Sequence, residues 1–102
     1  MFEKRRHPRQ TVDLKASLQV EGTGEVIDGQ VKDLSIGGMF FLSDSKLPFG
    51  TKVNVVVAFP PPGGKQELAA VVRWGAEDGI GLQFGLLGAR ETHTIALALR
   101  KR

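Results

Sequence analysis

With 102 residues and no cysteine, the chain has room for one small domain and excludes disulfides, thiolate metal sites and cysteine nucleophiles. No apolar run approaches the ~20 residues of a membrane helix, and no apolar stretch follows the basic N-terminus as in a signal peptide. We therefore expect a cytoplasmic protein without membrane insertion.

The net charge of +3 is concentrated at the ends of the chain, with +3 in residues 1–10, +3 in residues 100–102 and −3 between them. This distribution predicts an anionic partner held by an end of the chain.

Alternating apolar and polar side chains dominate the chain up to residue 86, a pattern typical of strands with one buried face. The clearest run covers residues 12–20, and a glycine turn leads to a weaker returning run that Gly29 interrupts. The predicted strands after the first are residues 25–33, 39–42, 53–59, 68–74 and 80–86. Six short strands joined by tight turns predict an antiparallel sheet that closes or nearly closes on itself, since closure removes exposed edges.

The period changes near the C-terminus, where residues 89–101 are predicted to form one helix. Thr92, Ile95 and Leu99 recur at helical spacing, and basic residues lie at the end, where cations suit the helix dipole. We expect this helix to pack over an opening of the barrel. The predicted organisation is a single domain with a basic arm at residues 1–11, a barrel at 12–86 and a C-terminal helical segment at 87–102.

A basic cluster, RRHPR, occupies residues 5–9 ahead of the first strand. Its proline pushes the preceding residue towards an extended conformation, so a helix is not expected here. The guanidinium groups of Arg5 and Arg9 suit phosphate oxygens and the acceptor edge of guanine. Because residues 1–11 have almost no apolar content, we expect this arm to be mobile in the free protein. A solvated basic tail is the alternative, and the cluster alone leaves it open.

A second cluster, DLSIGG, occupies residues 33–38. Asp33 and Ser35 share a face of an extended segment, and a carboxylate beside a hydroxyl accepts hydrogen bonds from the donor edge of guanine. This arrangement is expected to leave backbone N–H groups free, and Gly37 and Gly38 are predicted to supply positive φ and to allow a close approach of another backbone or a flat ring. The alternative is a corner between two strands in which Asp and Ser act as turn formers.

In this order and spacing, the R-x-x-x-R pattern of residues 5–9 and the D-x-S-x-x-G pattern of residues 33–38 resemble the motifs of the PilZ domain, a family of bacterial receptors for the second messenger c-di-GMP. The resemblance covers the whole chain, and residues 79–84, GIGLQF, look like the closing strand of the family. It implies an all-β fold: a six-stranded antiparallel β-barrel with a flexible arginine arm and a C-terminal α-helix. It also implies c-di-GMP as ligand, with no further cofactor.

The resemblance also implies a role for each motif residue. Arg5 and Arg9 would grip the phosphates and the Hoogsteen edges of guanine. Asp33 and Ser35 would accept from the guanine donor edge or brace the arginines, and Gly38 would keep the floor of the pocket open.

Arg6 and Lys4 are further candidate contacts beside the arginine motif. Some members of the family carry an extra arginine ahead of the motif, which helps to bind an intercalated ligand dimer. Lys4 stands at that position here and offers charge without a planar stacking surface. One or two ligands per site, and a monomer or a ligand-linked dimer, therefore stay open.

Two roles are considered for the aromatic residues: filling the barrel, or contacting a ligand or a partner. The alternation of Trp74 with Ala70 and Val72 favours an inward-facing side chain that fills the barrel. The alternative places Trp74 at a strand end, where its ring lines the ligand site. Phe40 and Phe41 are adjacent, so one is expected to face inward and the other outward, as a candidate contact for a partner.

A binding module fits the sequence better than an enzyme. We find no nucleophile elbow, no phosphate loop, no tyrosine and no paired histidine and carboxylate. The lone His7 and His93 make no metal site. The predicted function is a c-di-GMP receptor or adaptor that orders its arginine arm on binding and signals through a protein partner. The alternatives are a small basic barrel that binds single-stranded nucleic acid, which in-phase aromatics disfavour, and a ligand-free protein-interaction module, which intact motifs disfavour.

Overall fold

The computed structural model describes residues 10–100, which form six β-strands and one α-helix. The elements are β1 (Gln10–Val20), β2 (Val26–Leu34), β3 (Gly38–Leu42), β4 (Lys52–Phe59), β5 (Gly64–Ala76), β6 (Gly79–Phe84) and α1 (Ala89–Arg100). The strand order is β1–β2–β3–β6–β5–β4, and β4 pairs with β1 to close the barrel. All pairs are antiparallel. The predicted six-stranded antiparallel barrel with a C-terminal helix is confirmed.

The core lies inside the barrel and consists of the inward-facing side chains of the alternating runs. Phe41 is the largest fully buried side chain, and it points inward from β3. A Cβ atom at Gly29 would lie 2.7 Å from Cζ of Phe41, so the ring occupies the space that a side chain on β2 would need. The glycine that weakens the alternation of β2 is therefore the residue that lets Phe41 fill the core.

Three bulges interrupt the ladders, in β1, β2 and β5. The register shifts lie between Thr11 and Leu14, between Val31 and Asp33, and between Val72 and Trp74. Each bulge adds one residue to its strand, so the side chains on either side of it no longer follow a strict alternation. Bulges are common at barrel rims and beside binding sites, and here they change the faces on which Asp33 and Trp74 lie.

The strand β6 ends earlier than the sequence predicts. Phe84 is its last residue, and Leu86, which alternation places on the buried face, is fully exposed. The N–H of Gly85 donates to the carbonyl of Ala69 at 2.9 Å, after which residues 85–88 leave the barrel and lead to α1. Leu86 belongs to this linker, so the prediction that it continues the buried face of β6 is wrong.

The helix α1 packs at the end of the barrel where β6 ends. Ile95 is fully buried in the core, and Ala98 and Leu99 pack against it, as the helical spacing predicts. Thr94 is also buried, and its Oγ1 donates to the carbonyl of Arg90 at 3.0 Å. A Cβ atom at Gly63 would lie 2.8 Å from Cγ2 of Thr94, so the helix contacts the turn between β4 and β5. Within residues 10–100, no helix has the length and apolar character needed to cross a membrane.

Candidate ligand-binding site

The corner between β2 and β3 is held together by Ser35, which is only 4% exposed. Its Oγ accepts the N–H of Gly37 at 3.1 Å and the N–H of Gly38 at 3.2 Å. The backbone N–H of Ser35 donates to the carbonyl of Gly38 at 2.9 Å. The hydroxyl thus satisfies two backbone donors in a buried turn, where an unpaired N–H is costly.

The two glycines of this corner serve a different purpose from the one that the sequence predicts. Neither Gly37 nor Gly38 has a positive φ angle, and the N–H groups of both donate to Ser35, so the predicted left-handed backbone and free N–H groups are wrong. The predicted close approach is present, since a Cβ atom at Gly38 would collide with the carbonyl oxygen of Leu82 on β6. Gly38 is therefore needed where two strands meet without room for a side chain.

A row of paired residues crosses five strands on the outside of the barrel, beside this corner. From β1 to β5 it consists of Thr11, Asp33, Phe40, Gly81 and Trp74, each opposite the next. Directly opposed residues in antiparallel strands point to the same face of the sheet. With strands ~4.8 Å apart, the row places Asp33 roughly 14 Å from Trp74 along the surface.

Trp74 lies on this outer face, and the inward-facing interpretation is wrong. Its side chain is 43% exposed. Val72 faces the core opposite Leu82, but the bulge at Arg73 pairs Trp74 with Gly81 instead of continuing the alternation. Trp74 also lies within β5 and not at its end, because the strand continues to Ala76.

The ring of Trp74 covers Phe40. The two ring centroids are 5.1 Å apart and the planes are inclined by 16°, a stacked arrangement. Glycines on β6 make room for both rings: a Cβ atom at Gly81 would collide with the indole, and one at Gly79 would lie 2.6 Å from Cζ of Phe40. Phe41 faces inward and Phe40 outward, as the sequence predicts, but Phe40 is only 8% exposed. The prediction that the outward phenylalanine contacts a partner is therefore wrong, because Trp74 covers it.

A groove of about 600 Å³ runs between the corner and Trp74. It is lined by the corner residues 35–38, by residues 73–74 of β5, by residues 82–87 of β6 and the linker, and by Thr92 of α1. Its size lies within the range of sites that bind small molecules. Arg73 is the one charged side chain among the described residues that line it.

Arg73 is a residue of the groove that belongs to neither sequence motif. Alternation places residue 73 on the outer face, opposite in phase to Val72, but it carries no information about the groove. Arg73 becomes part of the groove because the bulge places it and Trp74 together on the exposed side of β5. Its guanidinium carbon lies 5.2 Å from the centroid of the Phe49 ring, a cation–π contact.

The predicted site residues fall into two groups. Asp33, Ser35, Gly38 and Trp74 lie in the described part of the chain, around the corner and the row of paired residues. Asp33 is half-buried and lies beside the groove, not in its lining. The other predicted residues, Lys4, Arg5, Arg6 and Arg9, lie outside the described residues, as does His7.

The described strand nevertheless begins beside the corner. Gln10, which follows Arg9 in the sequence, pairs with Leu34, the last residue of β2. Within residues 10–100, no group of three histidine or carboxylate side chains that could hold a metal is present.

The described residues thus form a closed antiparallel barrel with a corner that contains Gly37 and Gly38 and with an adjoining open groove. The family model of the PilZ domain matches residues 3–99, and the chain belongs to this family. The resemblance in the two motifs is thereby confirmed. No curated protein sequence matches the chain significantly.

Solved structures share the fold. The structure of MrkH from K. pneumonia in complex with c-di-GMP has a TM-score of 0.79 at 20% identity, covering 97% of this chain and 51% of that one. The PilZ domain of YcgR from Escherichia coli, solved with c-di-GMP, has a TM-score of 0.72 at 16% identity, covering 97% and 94%. The Bacillus subtilis inhibitor of motility MotI/DgrA has a TM-score of 0.74 at 20% identity, covering 98% and 52%. The chain thus spans about half the length of MrkH and of MotI/DgrA.

Proposed function

We propose that this chain is a receptor for c-di-GMP and that it binds the messenger without converting it. Membership of the PilZ family supports the proposal, as do the c-di-GMP complexes of MrkH and of the YcgR PilZ domain. The described residues add a groove of suitable volume beside the D-x-S-x-x-G corner.

The observation that carries the proposal is the pairing of Gln10 with Leu34. Arg9 precedes Gln10 in the sequence, and Leu34 belongs to the D-x-S-x-x-G motif, so the first described residue after the arginine motif pairs with a residue of the second motif. This pairing supports a site to which both motifs contribute. We propose that Arg5 and Arg9 bind its phosphates and guanine acceptors, with Arg6 and Lys4 as auxiliary cations.

The corner supplies the complementary part of the site. We propose that Asp33 accepts hydrogen bonds from the donor edge of a guanine, because a carboxylate is an acceptor with two oxygens. The hydroxyl of Ser35 already accepts two backbone N–H groups, so we propose that Ser35 contributes by holding Gly37 and Gly38 in place. Gly38 keeps the floor of the groove flat.

Trp74 supplies a flat apolar wall. Its indole lines the groove and is backed by Phe40, which fixes the orientation of the ring. Purines stack well on such a surface. We propose that a guanine of the ligand contacts Trp74, as in the alternative interpretation of the sequence.

Binding is proposed to order the arm that the sequence places at residues 1–11, of which Gln10 and Thr11 already belong to β1 and pair with β2. Two phosphates and two purines satisfy the arginines on one side and the corner on the other, which offsets the entropy lost when the arm becomes fixed. The ordered arm then presents a new surface to a downstream protein partner, an order–disorder switch. The stoichiometry measured by titration distinguishes one ligand per site from two, and a monomer from a ligand-linked dimer.

Isothermal titration calorimetry on the full chain tests the proposal. We expect saturable binding of c-di-GMP and much weaker binding of a single-stranded DNA oligomer, with the DNA signal lost at high salt. Binding of DNA in preference to c-di-GMP would instead support the nucleic-acid alternative. Absence of heat and of thermal stabilisation with either ligand would contradict the receptor and favour a protein-interaction module.

A further inference from the structure

We infer that Arg73, held in position by Phe49, is a phosphate-binding residue of the groove, three strands away from Asp33 of the D-x-S-x-x-G motif. The inference rests on the proposed function, since it assigns a contact to c-di-GMP within the same groove. It adds a cation that belongs to neither of the two motifs.

The bulge in β5 is the structural basis of the inference. Because Val72 pairs with Leu82 and Trp74 with Gly81, Arg73 is the additional residue of the strand. Both Arg73 and Trp74 are exposed, so the bulge presents a cation and an aromatic ring side by side at one edge of the groove. A continuous strand would have placed them on opposite faces of the sheet.

The guanidinium of Arg73 is also partly immobilised. It lies over the ring of Phe49, whose own side chain is 70% exposed and belongs to the loop between β3 and β4. That loop follows β5 closely: the N–H of Gly50 donates to the carbonyl of Val72 at 2.8 Å, and the N–H of Val72 donates to the carbonyl of Thr51 at 2.9 Å. The loop therefore holds Phe49 against β5, and Arg73 loses less freedom when it binds an anion.

Charge and distance favour a phosphate as the group that Arg73 binds. Arg73 is the one charged side chain among the described residues of the groove lining, so no described carboxylate in the lining competes for it. It lies on β5, three strand spacings from Asp33 on β2, or roughly 14 Å. c-di-GMP carries two phosphates on opposite sides of its ring. A ligand whose guanine contacts Asp33 on β2 can therefore direct one phosphate towards Arg73, whose planar guanidinium matches phosphate oxygens.

The test compares three variants by titration with c-di-GMP at low and high salt. We expect Arg73→Gln to weaken binding about tenfold at low salt, and Arg73→Lys to recover most of the loss because it restores the charge. The affinity of Arg73→Gln should fall less steeply with salt than that of the wild type, since one ionic contact is missing. Arg90→Ala is the matched control, because Arg90 is an exposed arginine of α1 that does not line the groove.

Phe49→Leu separates positioning from a general structural effect. It should weaken binding about two- to fivefold in the wild type and have no effect in the Arg73→Gln background, since Phe49 acts through the guanidinium. Wild-type affinity and salt dependence in Arg73→Gln would overturn the inference and leave the receptor intact. An equal loss from Phe49→Leu in both backgrounds would overturn the positioning by Phe49. Failure of the wild type to bind c-di-GMP would overturn the receptor and, with it, the role of Arg73.

Discussion

The indole of Trp74 stacks on the ring of Phe40 across β6, with centroids 5.1 Å apart and planes inclined by 16°. The stack depends on the two glycines of β6 that leave room for the rings, Gly79 and Gly81. It closes the outer surface over Phe40 and leaves Trp74 at the groove. Because Trp74 is the only tryptophan of the chain, its fluorescence reports on the groove alone.

The first prediction concerns the room that Gly81 leaves for Trp74. Gly81→Ala introduces a Cβ atom that collides with the indole, so we expect the ring to leave Phe40. The fluorescence maximum of Trp74 should shift to the red, and the free energy of unfolding should fall by about 1–3 kcal/mol. Urea unfolding followed by fluorescence measures both quantities.

Gly75→Ala is the control for this substitution, since apart from its chain neighbours nothing lies within 4 Å of a Cβ atom at Gly75. It should change the free energy of unfolding by less than about 0.5 kcal/mol and leave the emission maximum in place. Identical emission and stability in the two variants would show that the stack does not depend on Gly81.

The second prediction concerns the arginine motif. Each charge-assisted bidentate contact contributes about 1–3 kcal/mol, so Arg5→Ala or Arg9→Ala should weaken c-di-GMP binding by roughly ten- to a hundredfold. Neither change should alter the thermal unfolding temperature appreciably, because both residues precede the first core strand. Calorimetry and thermal unfolding give the two measurements. Wild-type affinity in both variants would show that the ligand site lies elsewhere.

The third prediction concerns selectivity for the base. The adenine of c-di-AMP lacks the N2 amino donor of guanine, so a carboxylate that accepts from this group selects c-di-GMP. Asp33→Ala should therefore reduce the ratio of the two affinities in a competition titration. Asp28→Ala is the control, since Asp28 is an exposed carboxylate of the same strand. An unchanged ratio in Asp33→Ala would leave Asp33 as a turn former without a role in base recognition.

The fourth prediction concerns the buried hydroxyl of Ser35. Ser35→Ala leaves the N–H groups of Gly37 and Gly38 without their acceptor, so the free energy of unfolding should fall by about 1–3 kcal/mol. Ser43 makes a similar bond, accepting the N–H of Ser45 at 3.1 Å, but in a partly exposed loop where water can replace the hydroxyl. Ser43→Ala should therefore cost much less in urea unfolding. An equal cost in both variants would contradict the role assigned to the corner.

The fifth prediction concerns the order of the arm. Amide hydrogen exchange should show increased protection in residues 3–11 and 33–38 when c-di-GMP is added. The central parts of β1 and β4 should change little, because the closed barrel already protects them. An arm that is fully protected without ligand would contradict the switch, even if the binding site were correct.

Much of the barrel could be predicted from the sequence because alternation is a local property. Each run of alternating side chains, such as the one from residue 12 to residue 20, identifies a strand and its buried face without knowledge of its neighbours. The two motifs likewise predicted the family, and the corner at residues 33–38 lies where β2 turns into β3.

The positions of Trp74 and Arg73 could not be predicted, because a bulge is decided by the pairing of two strands. Nothing in the run from Leu68 to Trp74 indicates that Arg73 is the additional residue opposite β6. The burial of Phe40 has the same cause, since its cover comes from a residue 34 positions later in the chain.

The sequence by itself therefore determined which segments form strands and which family the chain resembles, and it identified the side chains that fill the barrel except where Trp74 and Leu86 lie outside it, because these features depend on local periodicity and short motifs. Only the tertiary structure decided that Trp74 lies on the outer face over Phe40 and that Arg73 lies in the groove. It also decided that the Oγ of Ser35 accepts hydrogen bonds from the backbone of the corner. These features depend on strand register and on how closely β6 approaches its neighbours, and contacts between distant parts of the chain set both.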